Sequence, residues 1–229
     1  LAALKNIGAG AVATIVEARG EKGPFRSLGD FASRINPKAL NKRAIETMSK
    51  AGAFDCVEAN RAAVAANADA VMALAQRTES DTVLGTSDLF GGGGAGGPPQ
   101  IDLKPARAWT PMEKLTAEFE AVGFYLSGHP LDQYMSLLSK LGIRRFVEFE
   151  QAADYGASAA RLAGIVVAAR ERKSQKGNKF AFAMFSDTSG QFEAVIFSDT
   201  LNACGHLLKP GTPVVLSVAA ERDGDTLKM

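Results

Sequence analysis

Two glycines two positions apart, Gly8 and Gly10, frame a turn that leads into a helix N-terminus in Asn6-Ile7-Gly8-Ala9-Gly10-Ala11. Successive backbone N–H groups of such a turn can face a single phosphate oxygen, and the helix dipole favours the anion. Lys5 stands beside it, and Lys38, Lys42 and Arg43 flank a second turn, Pro37-Lys38-Ala39-Leu40-Asn41, which lacks the Gly-x-Gly spacing. The same pattern also fits an ordinary turn between helices. The cations and the second helical pair weigh toward DNA. A second set lies further on, where Arg170, Arg172, Lys173, Lys176 and Lys179 precede Phe180 and Phe182. Cations for the backbone and aromatic faces for stacking are what a single strand requires. A solvated loop is the alternative, and Phe180, Phe182, Phe185, Phe192 and Phe197 cannot all be exposed, so most must fill a core. His129 has the side chain most easily tuned for acid–base work. No second titratable partner is visible beside it, which predicts a structural role at a turn before Pro130.

The elements that must position these residues change character along the chain. Val12, Ile15 and Val16 sit at helical spacing and are followed by Gly20, which predicts a short amphipathic helix over 10–19. Ser27 and Asp30 resemble a capping box for a helix to about Arg34, and Asn41 is the N-cap of a third over Lys42–Ala51. Alanine-rich Val57–Gln76 predicts one longer helix. Residues 78–109, with Gly91-Gly92-Gly93-Gly94-Ala95-Gly96-Gly97-Pro98-Pro99, read as a flexible linker. Thr110, Pro111 and Glu113 announce the next helix, and another covers about Leu131–Leu141. From Ala159 the period becomes two: strands are predicted at 162–169, 180–185, 192–197 and 214–218, with a helix over 199–208. That order is the one found in an OB-fold, a partly open five-stranded barrel, which the chain leaves within the fifth strand. The expected architecture is multidomain, α then β: a small helical domain with a trailing helix over 1–77, the linker over 78–109, a helical connector over 110–158 and the incomplete barrel over 159–229.

Charge is uneven beneath a formal net of +1: residues 1–55 hold nine Lys/Arg against five Asp/Glu, residues 56–158 eight against thirteen, and residues 159–229 nine against seven. Basic ends around an acidic middle suit phosphate contacts at the ends and protein or solvent between. Cys56 and Cys204, with only two histidines, supply neither a disulfide framework nor a Cys/His metal site, and a reducing cytoplasm is the expectation. No apolar run approaches the roughly 18 residues of a membrane span. Both ends read as cut from something longer.

Longer strings make the reading specific. Gly123-Phe124-Tyr125-Leu126-Ser127-Gly128-His129-Pro130-Leu131 resembles a signature of bacterial DNA polymerase III alpha subunits, the C-family replicative polymerases. Lys5-Asn6-Ile7-Gly8, Gly23-Pro24-Phe25-Arg26-Ser27-Leu28, Leu40-Asn41-Lys42-Arg43 and Gly52-Ala53-Phe54-Asp55 are similar to that family's tandem helix-hairpin-helix domain. Leu162-Ala163-Gly164-Ile165-Val166 and Asp187-Thr188-Ser189-Gly190 resemble its OB domain. The resemblance implies a part of a DNA-directed DNA polymerase that binds duplex DNA and other replisome subunits. It places the paired carboxylates that hold Mg2+ in a palm upstream of residue 1, so no catalytic residue and no cofactor is expected within this chain. It also implies a sliding-clamp segment at Thr86-Ser87-Asp88-Leu89-Phe90, where a Leu-Phe pair would enter an apolar pocket. Thr86 stands where the family's usual Gln would be, and two hydrophobes packing back on their own domain is the other reading of that pair. The OB domain is left with two partners, single-stranded DNA or protein, and two rival functions stay open: a pure protein-interaction module, and an error-prone repair paralogue of the same family.

Overall fold

The computed structural model describes residues 4–83, 99–175, 177–224 and 226–229. The chain forms two compact units, divided in sequence between Leu126 and Ser127.

The first unit is helical. Helix α1 (Ala9–Lys22) runs through Gly20 and ends at Gly23, whose φ of 77° suits glycine. Arg34 explains why the stop is delayed. Its guanidinium donates to Ala18 O and to Gly23 O (2.8 Å), pairs with Asp30 (3.1 Å) and lies 4.5 Å from the Phe25 ring centroid. Helix α2 (Leu28–Arg34) is capped by Ser27, whose hydroxyl accepts from Asp30 N, and α3 (Lys42–Lys50) by Asn41, which accepts from Ala44 N. Both caps fall where the sequence placed them.

The expected single helix over Val57–Gln76 is two, α4 (Arg61–Ala66) and α5 (Ala68–Val83), broken at Asn67. Asn67 Nδ2 donates to Ala63 O (2.7 Å) and Lys104 O (3.0 Å), while its Oδ1 accepts from Lys104 N (2.9 Å). An asparagine whose amide serves a distant backbone does so at the expense of the helix. Asn60 acts in parallel, capping α4 and donating to Ala106 O (2.9 Å). Together they hold residues 99–109 as a strap, with Ile101 and Leu103 packed on the core. The expected linker over 78–109 is thus corrected at both ends, by α5 running to Val83 and by this strap; residues 84–98 lie outside the described residues. A Cβ on Gly29 would stand 1.5 Å from Pro99 O, so the strap crosses α2 where only glycine fits.

Helix α6 (Pro111–Val122) has the full predicted start, a Thr110–Glu113 capping box with Pro111 in the first turn, and ends at Gly123 with φ 98°. Arg107 and the Thr110 backbone hold the Glu113 carboxyl down at about 2. The helix is fixed to the rest of the unit by Arg61. That guanidinium donates to Asp55 from Nη2 (2.7 Å) and Nε (2.8 Å) and to fully buried Glu118 from Nη1 (2.8 Å). Gly52 makes room, since a Cβ there would lie 2.4 Å from the guanidinium. Glu118 also accepts from Leu126 N (3.0 Å).

The second unit carries two short helices, α7 (Met135–Lys140), which a 3-10 turn over Asp132–Tyr134 precedes, and α8 (Phe146–Asp154). The expected connector over 110–158 is therefore shared between the units. Then comes an antiparallel sheet of β1 (Ala159–Lys173), β2 (Lys179–Asp187), β3 (Gly190–Ile196) and β4 (Pro213–Ala219), in the order β3-β2-β1-β4. Helix α9 (Ser198–Cys204) lies between β3 and β4. Strand β1 serves two partners: residues 159–165 pair with β4 and 165–173 with β2, across an irregularity between Val166 and Ala168. Gly164 lies where a Cβ would approach Phe185 Cβ to 3.0 Å. Phe149, Leu162, Val166, Phe185 and Phe192 form the core. Among the described residues the sheet does not close, and it is OB-like rather than a complete barrel. The expected fifth strand is instead a hairpin, β5 (Glu221–Asp223) with β6 (Thr226–Lys228), in its own two-stranded sheet.

Because Glu118 is buried against the Arg61 cation, Arg61→Met should lower the stability of the helical unit by about 3–5 kcal/mol in urea unfolding followed by far-UV circular dichroism. Adding Glu118→Met should recover most of it. A single variant as stable as wild type would show that the pair is not holding α6.

Candidate nucleic-acid interface

The first glycine turn has the geometry of an anion seat. Asn6 takes a left-handed φ of 62°, tolerable for asparagine, and donates weakly to Thr47 Oγ1 (3.5 Å). The turn delivers the chain to Gly8, the N-cap of α1, which has no side chain to offer the orphan N–H groups of the first helical turn. Gly8, Ala9 and Gly10 are exposed, and space is open within 4 Å of a Cβ at either glycine. Helices α2, α3, α4 and α6 each spend a side-chain oxygen on those donors.

The second turn is different. Asn41 Oδ1 accepts from Ala44 N (2.9 Å) at the start of α3, and Asn36 accepts from Lys38 N (2.8 Å) and Ala39 N (3.1 Å), so side chains and backbone already take three of the turn's donors. Its lysines are paired with α5: Lys42 Nζ with Asp69 (2.6 Å) and Lys38 Nζ with Glu79 (2.9 Å). The Asp69 hydrogen bond holds the Lys42 ammonium above the ordinary lysine range. Lys5 and Arg43 are exposed, and neither has an ion pair among the described residues. Of the residues expected to meet duplex DNA, Lys5, Gly8, Gly10 and Arg43 are thus available, and Lys38 and Lys42 are engaged.

On the sheet, Arg170 stands opposite Phe182 and Arg172 opposite Phe180, and directly opposed antiparallel residues share a face. The four form one patch, with the two rings 5.4 Å apart between centroids. Phe182 is 38% exposed while Phe185 and Phe192, on the other face, are 0% and 3%, which divides the aromatic set into surface and core. Lys173 lies opposite Lys179, a like-charge pair that a polyanion would relieve. Arg170, Arg172, Lys173 and Lys179 have no ion pair among the described residues. Lys176 lies outside those residues, as does the segment Thr86–Phe90.

His129 is buried. Its Nδ1 accepts from Leu131 N (3.1 Å), which puts the proton on Nε2, where it donates to Ser186 Oγ (3.2 Å). A ring that donates to a serine cannot take that serine's proton, so the contact is a brace. Asp187 is another. Its Oδ2 accepts from Phe146 N (2.6 Å) at the start of α8, and its Oδ1 accepts from Ser189 and Gly190 within the β2–β3 turn. Asp187 and Ser189 stood out in the sequence only within a string that resembles the family's OB domain; Arg34, Arg61, Asn67, Asp69 and Glu79 carried no signal of these contacts, because each acts on a partner beyond its own turn of chain.

Residues 1–64 match a helix-hairpin-helix motif family. A DNA polymerase III subunit alpha from Caulobacter vibrioides is 40% identical over 226 residues, 98% of this chain. The chain belongs to the DNA polymerase III alpha-subunit family. Proteins of the same name from Pseudomonas aeruginosa and Escherichia coli O157:H7 are each 34% identical, over 97% and 95% of this chain. The chain spans about one fifth of the length of these relatives. Among the described residues no three His, Cys, Asp or Glu side chains converge.

Burial pulls the His129 imidazole below its ordinary value of 6.5, against the opposing pull of Asp132 and Asp187. The folded chain therefore binds fewer protons than the unfolded chain just below that value, and stability must fall as pH drops through it. The second unit should unfold at lower urea at pH 5.5 than at pH 7.5, roughly one unit either side of the free imidazole pKa. His129→Gln should flatten that difference. Equal pH dependence in the two proteins would show that the ring does not titrate on unfolding.

Proposed function

We propose that this chain is a DNA-engaging, non-catalytic part of a replicative DNA-directed DNA polymerase. The uncapped start of α1, inside the matched helix-hairpin-helix region, carries the reading. Free N–H groups there suit the duplex backbone, which such contacts position without reading sequence. The open sheet face of Arg170, Arg172, Phe180 and Phe182 suits a single strand, with the cations on phosphates and the rings under bases. Thr86–Phe90 is assigned to the sliding clamp on the strength of the family resemblance. The purely protein-binding alternative has no comparable support, because Lys5, Arg43 and the sheet cations Arg170, Arg172, Lys173 and Lys179 have no ion pair among the described residues.

Gly8→Asp tests the seat without harming the fold. An aspartate is a better N-cap than glycine, and space is open around the position, so thermal stability should hold or rise by a few tenths of a kcal/mol. Binding to a short primed duplex, followed by fluorescence anisotropy across a salt series, should weaken and lose about one unit of salt slope. Phe182→Ala should spare the duplex and cost about 1–3 kcal/mol with single-stranded DNA. Duplex binding unchanged in Gly8→Asp overturns the seat.

For the clamp, replacing both Leu89 and Phe90 with Ala should abolish retention on immobilised sliding clamp while shifting stability by less than about 0.5 kcal/mol. A variant that melts early yet is retained normally would return the pair to the fold's own core.

A further inference from the structure

We propose that Asp69 and Glu79 of α5 occupy the second turn's lysines in place of phosphate, and thereby set the affinity of the helical unit for duplex DNA. This rests on the DNA-backbone reading above. Asn36 takes Lys38 N and Asn41 caps α3 through Ala44 N, so the turn lacks the uncapped helix start of the first and its lysines are its main offer to an anion. Both are held from one helix: Asp69 lies 2.6 Å from Lys42 Nζ and Glu79 lies 2.9 Å from Lys38 Nζ. Between the two pairs the turn and α5 enclose a shallow groove lined by Pro37, Leu40, Met72, Ala73 and Gln76. Helix α5 is thus laid along the turn with a carboxylate at each of its two lysines. Glu46, on α3 itself, adds to the negative field at Lys42. Arg43, next in sequence, has no ion pair among the described residues.

The strength of these contacts suits restraint rather than closure. Exposed ion pairs of this kind hold their partners by a factor of about two to five. A DNA polyanion, which gains from releasing its own counterions, can displace them. The second turn would then contribute fewer net charges than its lysine count, because each phosphate contact costs an internal one.

The test uses the whole chain and a short mixed-sequence duplex over a salt series. Asp69→Asn with Glu79→Gln should tighten binding about two- to fivefold per pair and steepen the salt slope by about one unit per lysine released. Removing negative charge anywhere strengthens DNA binding, so Lys42→Ala decides. In the wild-type background it should barely change the slope; in the Asp69→Asn background it should flatten it by about one unit. Arg43→Ala should flatten it in both. If Lys42→Ala has the same effect in both backgrounds, Asp69 does not compete for that lysine and the proposal falls. If wild type fails to bind duplex at low salt, the DNA-backbone reading itself falls, before any variant is compared.

Discussion

One guanidinium, that of Arg61, joins four parts of the helical unit that share no continuous secondary structure. It binds Asp55 after α3, Glu118 in α6 and, more loosely, Lys50 O at the end of α3 (3.4 Å), and it fills the space that Gly52 leaves open. A fully buried carboxylate is tolerable only with a cation and further donors around it, and Glu118 has Arg61 and the Leu126 amide. The contact costs desolvation on both sides and in return permits one arrangement of α3, α4 and α6. The first glycine turn is built on that arrangement, since Lys5 N donates to Ala121 O in the last turn of α6 (3.0 Å) and so hangs the turn from the same helix that Arg61 holds.

The two turns show how one supersecondary pattern yields unequal sites. Both deliver a chain into a helix, but one cap is a glycine and the other an asparagine. A side-chain oxygen at the cap satisfies the helix internally, and its absence leaves the donors for something else. Capping chemistry, ordinarily a matter of stability, here distinguishes the first turn, which has no side-chain cap, from the second, which Asn41 closes.

Local signals were legible. Thr110, Pro111 and Glu113 marked the start of α6, Ser27 and Asn41 the starts of α2 and α3, and the alternation of Phe180 to Phe185 the second strand, because each depends on neighbours within about four residues. The break at Asn67 was not legible, since its cause is Lys104, 37 residues on. The delayed end of α1 depends on Arg34, 16 residues beyond Ala18. Within the candidate interface the same limit applied. Residue types located Lys38 and Lys42, yet only the packing of α5 shows that both are taken, and only strand register puts Arg170 and Arg172 on the face of Phe182 and Phe180.

The strap over 99–109 is ordered by contacts far back along the chain. With Pro99 crossing α2 and Asn67 gripping Lys104, the strap can form only once α2 and the break between α4 and α5 are in place.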